Sequence, residues 1–262
     1  MTIQILLATT NQDDYNILKG INLQSDIIVC NQNAKYFSYS SFTYNGFNVE
    51  WLNFTERGVG LNRNNALMRS TADICVIADD DVQYDDSAIS QITQAFKDNP
   101  RADVILFNVH PNEAYNPYII KKKIKISRFN CGKYGGVRIA FRRTKIIKNA
   151  ITFNLLFGGG AKYSAGEDNM FIRDCIKKGL NVIGVPIFIL SLKQDRESSW
   201  FKGYNKKFFV DLGASYVVHY GKFAFFCAFL QLMRHRSLWL KDYSFSEALK
   251  NVSEGIKGFK CL

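Results

Sequence analysis

Two patterns of hydrophobic and polar positions alternate along the chain. Short, largely apolar runs recur at residues 3–8, 26–30, 74–78, 102–109 and 181–190. Runs of that length without alternation predict strands covered on both faces, as in a parallel sheet. Residues 47–52 alternate and predict a shorter strand. Helical spacing fills the segments between: 14–23, the stretch carrying Leu61, Leu67 and Met68, 86–96, and a helix opened by Glu167 and Asp168 that carries Phe171, Ile172, Cys175 and Ile176. Strand alternating with helix predicts an α/β fold with a mostly parallel, Rossmann-like sheet and helices on both faces. The glycine fingerprint G-x-G-x-x-G is absent after the first strand, which argues against an NAD or FAD site.

Candidate chemistry gathers where the strands end. Asp79, Asp80 and Asp81 follow the buried run 74–78 directly, and in open α/β sheets ligands bind at the carboxyl ends of strands. Adjacent carboxylates repel one another unless a cation is near. On a continuing strand Asp79 and Asp81 point the same way, which suits a hard divalent ion such as Mg²⁺ or Mn²⁺ that also carries substrate phosphates. The plain alternative is a solvated acidic turn. Arg57 and Arg63 are candidates for a diphosphate, since guanidinium forks match phosphate oxygens. Farther on, Phe157 and three glycines precede Ser164-Ala165-Gly166-Glu167-Asp168. Acids in a first helical turn complement the helix dipole. A carboxylate there is also a candidate general base.

The segment Glu56-Arg57-Gly58-Val59-Gly60-Leu61-Asn62-Arg63-Asn64-Asn65-Ala66-Leu67, leading into a strand and three aspartates, resembles the donor-binding segment of family-2 glycosyltransferases of the GT-A fold, of the type that builds bacterial surface and capsular polysaccharides. It departs from that family's pattern at Gly60, Leu61 and Asn62, where Ser, Arg and Ser are usual. The resemblance runs over residues 1 to about 215. It implies a metal-dependent, inverting transfer from a UDP-sugar to a hydroxyl of a lipid-linked saccharide acceptor. Ala8, Thr9 and Thr10 would line the uracil pocket, and Asn31 would stand where an Asp usually meets the base. Arg57, Arg63, Asn64, Asp79 and Asp80 would belong to the donor site, and Asp79 and Asp81 to the metal. G-E-D-x-x-F implies Asp168 as base and Glu167 as acceptor contact, two roles that can be exchanged. Asp195 falls where relatives often place a histidine ligand to the metal. The implied layout is a glycosyltransferase domain over 1–214, with a donor half (1–110) and an acceptor half (111–214), then an extension over 215–262. Two rivals stay open: a sugar-phosphate nucleotidyltransferase, and a non-catalytic basic module for membranes or nucleic acid.

Composition narrows this further. Lys plus Arg total 34 against 23 Asp plus Glu, a net charge of +11, which calls for an anionic partner. Nucleotide-sugar satisfies that, and no nucleic acid is expected. Residues 121–123 (three lysines) read as a solvated edge hairpin or as a basic face for an acceptor, and Gly135 and Gly136 as a border of the sugar pocket. Six widely spaced cysteines with no C-x-x-C pair predict reduced thiols and a cytoplasmic protein. From Ser215 the composition turns aromatic and basic. Such a segment suits either a helix packed on the core or a peripheral contact with the inner membrane face through 215–240.

Overall fold

The apolar runs fold as strands because each strand is covered on both sides. The computed structural model describes residues 1–32, 34–113, 115–193 and 203–260. It divides into Met1–Leu155 with Glu167–Arg196, and Leu156–Gly166 with Glu197–Leu262. In the first unit the strands are β1 (Ile3–Thr10), β2 (Asp26–Gln32), β3 (Ser38–Tyr44), β4 (Phe47–Asn53), β5 (Ile74–Asp79), β6 (Val82–Tyr84), β7 (Val104–Val109), β8 (Ile124–Lys125), β9 (Ile139–Arg142) and β10 (Val182–Leu192). Its helices are α1 (Ile17–Gly20), α2 (Val59–Arg69), α3 (Ala88–Asp98), α4 (Arg143–Lys148) and α5 (Glu167–Lys177). The second unit is helical: α6 (Lys206–Tyr220), α7 (Ala224–Arg234), α8 (Arg236–Trp239) and α9 (Phe245–Lys260).

The strands form one sheet in the order β3-β4-β2-β1-β5-β9-β7-β10-β6, with β8 beside β10. Pairs β4/β2, β2/β1, β1/β5 and β7/β10 are parallel. Period-two geometry splits each central strand between two apolar clusters. Ile5 and Leu7 of β1, with Val76 and Ala78 of β5, face the side covered by α1 and α3. Leu6, Cys75 and Ile77 face the side covered by α2 and α5. Both faces are therefore apolar, which is why these runs do not alternate.

Several expectations change. Residues 14–23 keep only one helical turn, α1. In α2 the buried side is Asn62, Arg63, Ala66 and Leu67, while Met68 is 55 % exposed. Two polar residues, Asn62 and Arg63, thus share the inward face that spacing assigned to Leu61 and Met68. The strands β3, β6 and β9 lie in segments without strong apolar runs. β9 enters the sheet between β5 and β7, antiparallel to both. The basic stretch is not an edge hairpin: Lys121, Lys122 and Lys123 are exposed, and the two-residue β8 pairs with β10 instead. The helical unit takes in Leu156–Gly166 as well as the chain that follows α5's own unit, so its extent differs from a simple tail after 214.

Candidate active site

The carboxyl ends of β1, β2 and β5 and the first turn of α5 are tied together by α2. Gly58 caps α2 at a φ of 124°, a left-handed conformation that favours glycine. Gln32, at the end of β2, grips that turn from both sides: its Oε1 accepts the Gly58 N–H at 2.9 Å and its Nε2 donates to the Gly58 carbonyl at 3.2 Å. One turn on, the Asn62 amide donates to the carbonyls of Thr9 (3.1 Å) and Cys30 (2.9 Å), stitching α2 to β1 and β2. Asn64 clamps the backbone of Phe153, donating to its carbonyl at 2.9 Å and accepting its N–H at 2.8 Å. Gly60 is required where it stands: a Cβ there would run into the Asn154 carbonyl. The departures from the family pattern at Gly60 and Asn62 are thus packing and hydrogen-bonding positions.

Arg63 lies at the centre, with 3 % of its side chain exposed. Its Nη2 donates to both carboxylate oxygens of Asp79, at 2.8 and 3.1 Å, and its Nη1 donates to Glu167 Oε1 at 2.7 Å. The guanidinium also lies over the Phe153 ring, 5.5 Å from its centroid. Burial works against the charge on Arg63, and Asp79 and Glu167 more than reverse that, holding it charged. At Glu167 the balance is different. Burial and then the neighbouring Asp168 charge push its carboxyl up to about 7, and Arg63 only partly pulls it back. One guanidinium is shared between two acids, so the same bond secures the arginine's charge without returning Glu167 to the ordinary carboxylate range.

Asp168 is held from the backbone. Its Oδ2 accepts the Gly136 N–H in a short hydrogen bond, and its Oδ1 accepts the Asn169 N–H at 2.7 Å. A side chain on Gly135 would collide with Oδ2, so Gly135 and Gly136 border the Asp168 carboxylate. Asp168 is partly exposed while Glu167 is buried. At the other end of the cluster Thr9 donates to Asp80 Oδ2 at 2.8 Å, and Gln12 donates to Thr9 Oγ1 at 3.0 Å.

The sequence candidates therefore divide. Asp79, Glu167 and Arg63 form one bonded group, with Asp168 adjoining Glu167 and with Thr9 and Asp80 bonded at the end of β1. Ala8 and Thr9 are buried, and Thr10 donates to the Gln32 carbonyl at 3.2 Å. Asn31 is 1 % exposed and both ends of its amide are engaged, with Gln12 and Asn53, so it shapes the loop after β1. Arg57 is exposed, apart from the Arg63 bonds. Asp195 lies outside the described residues. Phe153 emerges only from the structure; no spacing in the sequence marks it. Among the described residues, Cys30, Cys75, Cys131, Cys175 and Cys227 are free thiols.

A divalent cation fits the donor set in one mode. Among the described residues no group of three His, Cys, Asp or Glu is gathered to hold a metal by protein ligands alone. Mg²⁺ commonly uses one or two carboxylates and fills its shell with water and substrate phosphate. The half-exposed acids after β5 offer that, since an ionised carboxylate accepts at about four sites and Arg63 takes only one edge of Asp79.

Comparison with known proteins converges on the same class. The profile of glycosyl transferase family 2 matches residues 31–162. The chain belongs to glycosyl transferase family 2 and is a glycosyltransferase of the GT-A fold. Among solved structures, S. aureus TarS 1-349 in complex with UDP-GlcNAc matches with a TM-score of 0.65 at 14 % identity, covering 99 % of this chain and 80 % of that one. TarS 1-349 with UDP matches at 0.62 and 14 % identity, over 98 % and 81 % of the two chains. The longer TarS structure matches at 0.59 and 14 % identity, over 98 % of this chain and 49 % of that one. At such identity the likeness concerns the fold. No curated protein sequence matches significantly. Family membership removes both rivals, the nucleotidyltransferase and the non-catalytic module.

Proposed function

We propose that the chain transfers a sugar from a UDP-sugar to a hydroxyl of a saccharide acceptor, with inversion at the anomeric carbon. The observation that carries this is the Arg63 bridge, which joins an acid at the end of β5 to the first turn of α5. It holds a donor-side carboxylate and an acceptor-side carboxylate in one rigid group, as a displacement between two bound substrates requires. UDP is favoured over other nucleotides by the family resemblance of the β1 loop, and by the UDP and UDP-GlcNAc bound to TarS.

In this reading the diphosphate lies at the carboxyl ends of β1 and β5, beside Thr9 and Asp80. Asp79 and Asp81 would hold Mn²⁺ or Mg²⁺, which when bound supplies Lewis-acid stabilisation of the departing diphosphate. Asp168, the accessible acid of the pair, takes the proton of the acceptor hydroxyl. The acceptor oxygen forms a bond to the anomeric carbon from the face opposite the diphosphate. The bond from that carbon to the diphosphate oxygen breaks, and its electron pair leaves with UDP. Backbone N–H groups from Gly136 and Asn169 fix the Asp168 carboxylate for this task. Glu167 and Arg63 position the first turn of α5 against β5. The acceptor is a lipid-linked saccharide of a surface polysaccharide, met on the cytoplasmic side.

The test is a panel of UDP-sugars, each with Mn²⁺ or Mg²⁺, scored for slow hydrolysis and for thermal stabilisation of the purified chain. One or two UDP-sugars should respond, and Asp168→Asn should abolish turnover while leaving donor stabilisation intact. Silence across the panel, with other nucleotide-sugars stabilising the protein instead, would overturn the UDP assignment.

A further inference from the structure

We infer that α7 and α8 form a face that lies on an anionic lipid bilayer. In α7, Ala224, Ala228 and Leu232 recur every four residues and are buried in a cluster with Phe209, Trp239 and Val252. On an ordinary surface helix the opposite side would be polar. Here it is Phe223, Phe226, Leu230 and Met233, which are 59, 60, 49 and 38 % exposed. Their spacing of three, four and three places them on one stripe. Leu238 and Leu240, which follow shortly in the chain, are exposed as well, at 58 and 48 %. A single exposed apolar side chain needs no explanation, but a contiguous stripe implies a second apolar phase.

The charge around the stripe identifies that phase. Residues 221–242 contain Lys222, Arg234, Arg236 and Lys241 and one acid, Asp242. All four basic side chains belong to exposed residues. Large apolar side chains flanked by cations match the boundary between acyl chains and anionic headgroups. A second copy of the chain is a poorer match, because a symmetric pairing of this face would set cations against their own counterparts.

The segment lies on the bilayer rather than crossing it. By length and composition alone Lys206–Arg234 is long and apolar enough to span a membrane, at a mean hydropathy of 1.2. The chain breaks within it, however, at Gly221, where φ is 54° and ψ is −121°. Moreover α6 is committed to α9. A Cβ on Gly213 would meet the backbone of Val252, and one on Gly255 would meet the backbone of Val210. Asp211 on α6 accepts the Ser164 N–H at 2.8 Å and pairs with Lys207 at 2.9 Å, and Lys206 pairs with Glu254 at 3.0 Å. Spanning would carry these charged groups into hydrocarbon. Only α7 and α8 offer a lipid-facing side. As a surface this stands on its own geometry; its use, meeting a lipid-linked acceptor, rests on the function proposed above.

The experiment is flotation of the full chain with vesicles of phosphatidylcholine, with and without phosphatidylglycerol. Binding is expected to the anionic vesicles and to weaken with salt. Phe226→Ser with Leu230→Ser should reduce it about tenfold or more, from the lost burial of two large side chains. Both positions are exposed, so unfolding temperature and UDP-sugar hydrolysis in solution should stay at wild-type values. Lys222→Glu with Arg236→Glu should abolish the preference for phosphatidylglycerol. Absence of vesicle binding, binding that both double variants retain, or a dimer that the serine variant dissolves would each overturn the inference. Vesicle binding without any sugar-transfer activity would sink the proposed function and leave this face standing; the reverse result would do the opposite.

Discussion

Arg63 is the residue on which the site's electrostatics turn, because it is buried and neutralises acids from two elements at once. Arg63→Met would leave Asp79 and Glu167 without their cation, and breaking a buried pair in this way costs about 3–5 kcal/mol. A lower urea midpoint together with lost transfer is the expected result. The double variant Arg63→Met/Glu167→Gln should regain part of the stability and none of the transfer. Glu167 carries its own pH signature. Its folded-state carboxyl titrates near 7 rather than at the ordinary 4.5, so the folded chain holds a proton that the unfolded chain has released. The contribution of this group to stability is therefore full below about 4.5 and falls as pH rises towards 7. Denaturant titrations at the two ends of that window should show the slope in the wild type and its loss in Glu167→Gln. An unchanged slope would place the proton elsewhere. Gly135→Ala pushes against Asp168 Oδ2 and should lower turnover about tenfold or more, since misplacing a reacting group by even an ångström is costly. Donor-induced thermal stabilisation should survive.

At the scale of elements, α2 acts as a strut whose inward side chains each reach a different part of the sheet or its loops. Asn62 reaches β1 and β2, Arg63 reaches β5 and α5, and Asn64 reaches Phe153. Asn64→Ala removes two hydrogen bonds to partly buried backbone and should lower stability by about 1–3 kcal/mol in thermal or urea unfolding. The helix itself was legible from its spacing, but its inward face was not. Apolar periodicity assumes that burial follows hydrophobicity, and here polar groups are buried because distant chain supplies their partners. The same reason hid β9. Its four residues are flanked by arginines, and only its place between β5 and β7 explains why Ile139, Ala140 and Phe141 are buried.

For the whole molecule, a net charge of +11 coexists with an acidic cluster at the end of β5. Arg63 compensates Asp79 within the fold and Thr9 donates to Asp80, so the folded chain is expected to be stable without a cation. Chelation with EDTA should therefore abolish donor-dependent turnover, with recovery on added Mn²⁺ or Mg²⁺, yet leave the unfolding midpoint where it was. A midpoint that falls steeply on chelation would show that metal, not Arg63, holds the acids together. The sequence by itself determined the apolar strands, the α/β class, the position of the acids at a strand end and the aromatic, basic character of the last fifty or so residues. These are local properties: a run of apolar side chains favours burial wherever the chain takes it. Tertiary structure alone decided that Arg63 bridges Asp79 and Glu167, that Gly136 holds Asp168, and that α7 turns its alanines inward and its phenylalanines out. Each of these depends on groups far apart in the chain, whose pairing has an energy only once the sheet and helices have brought them together.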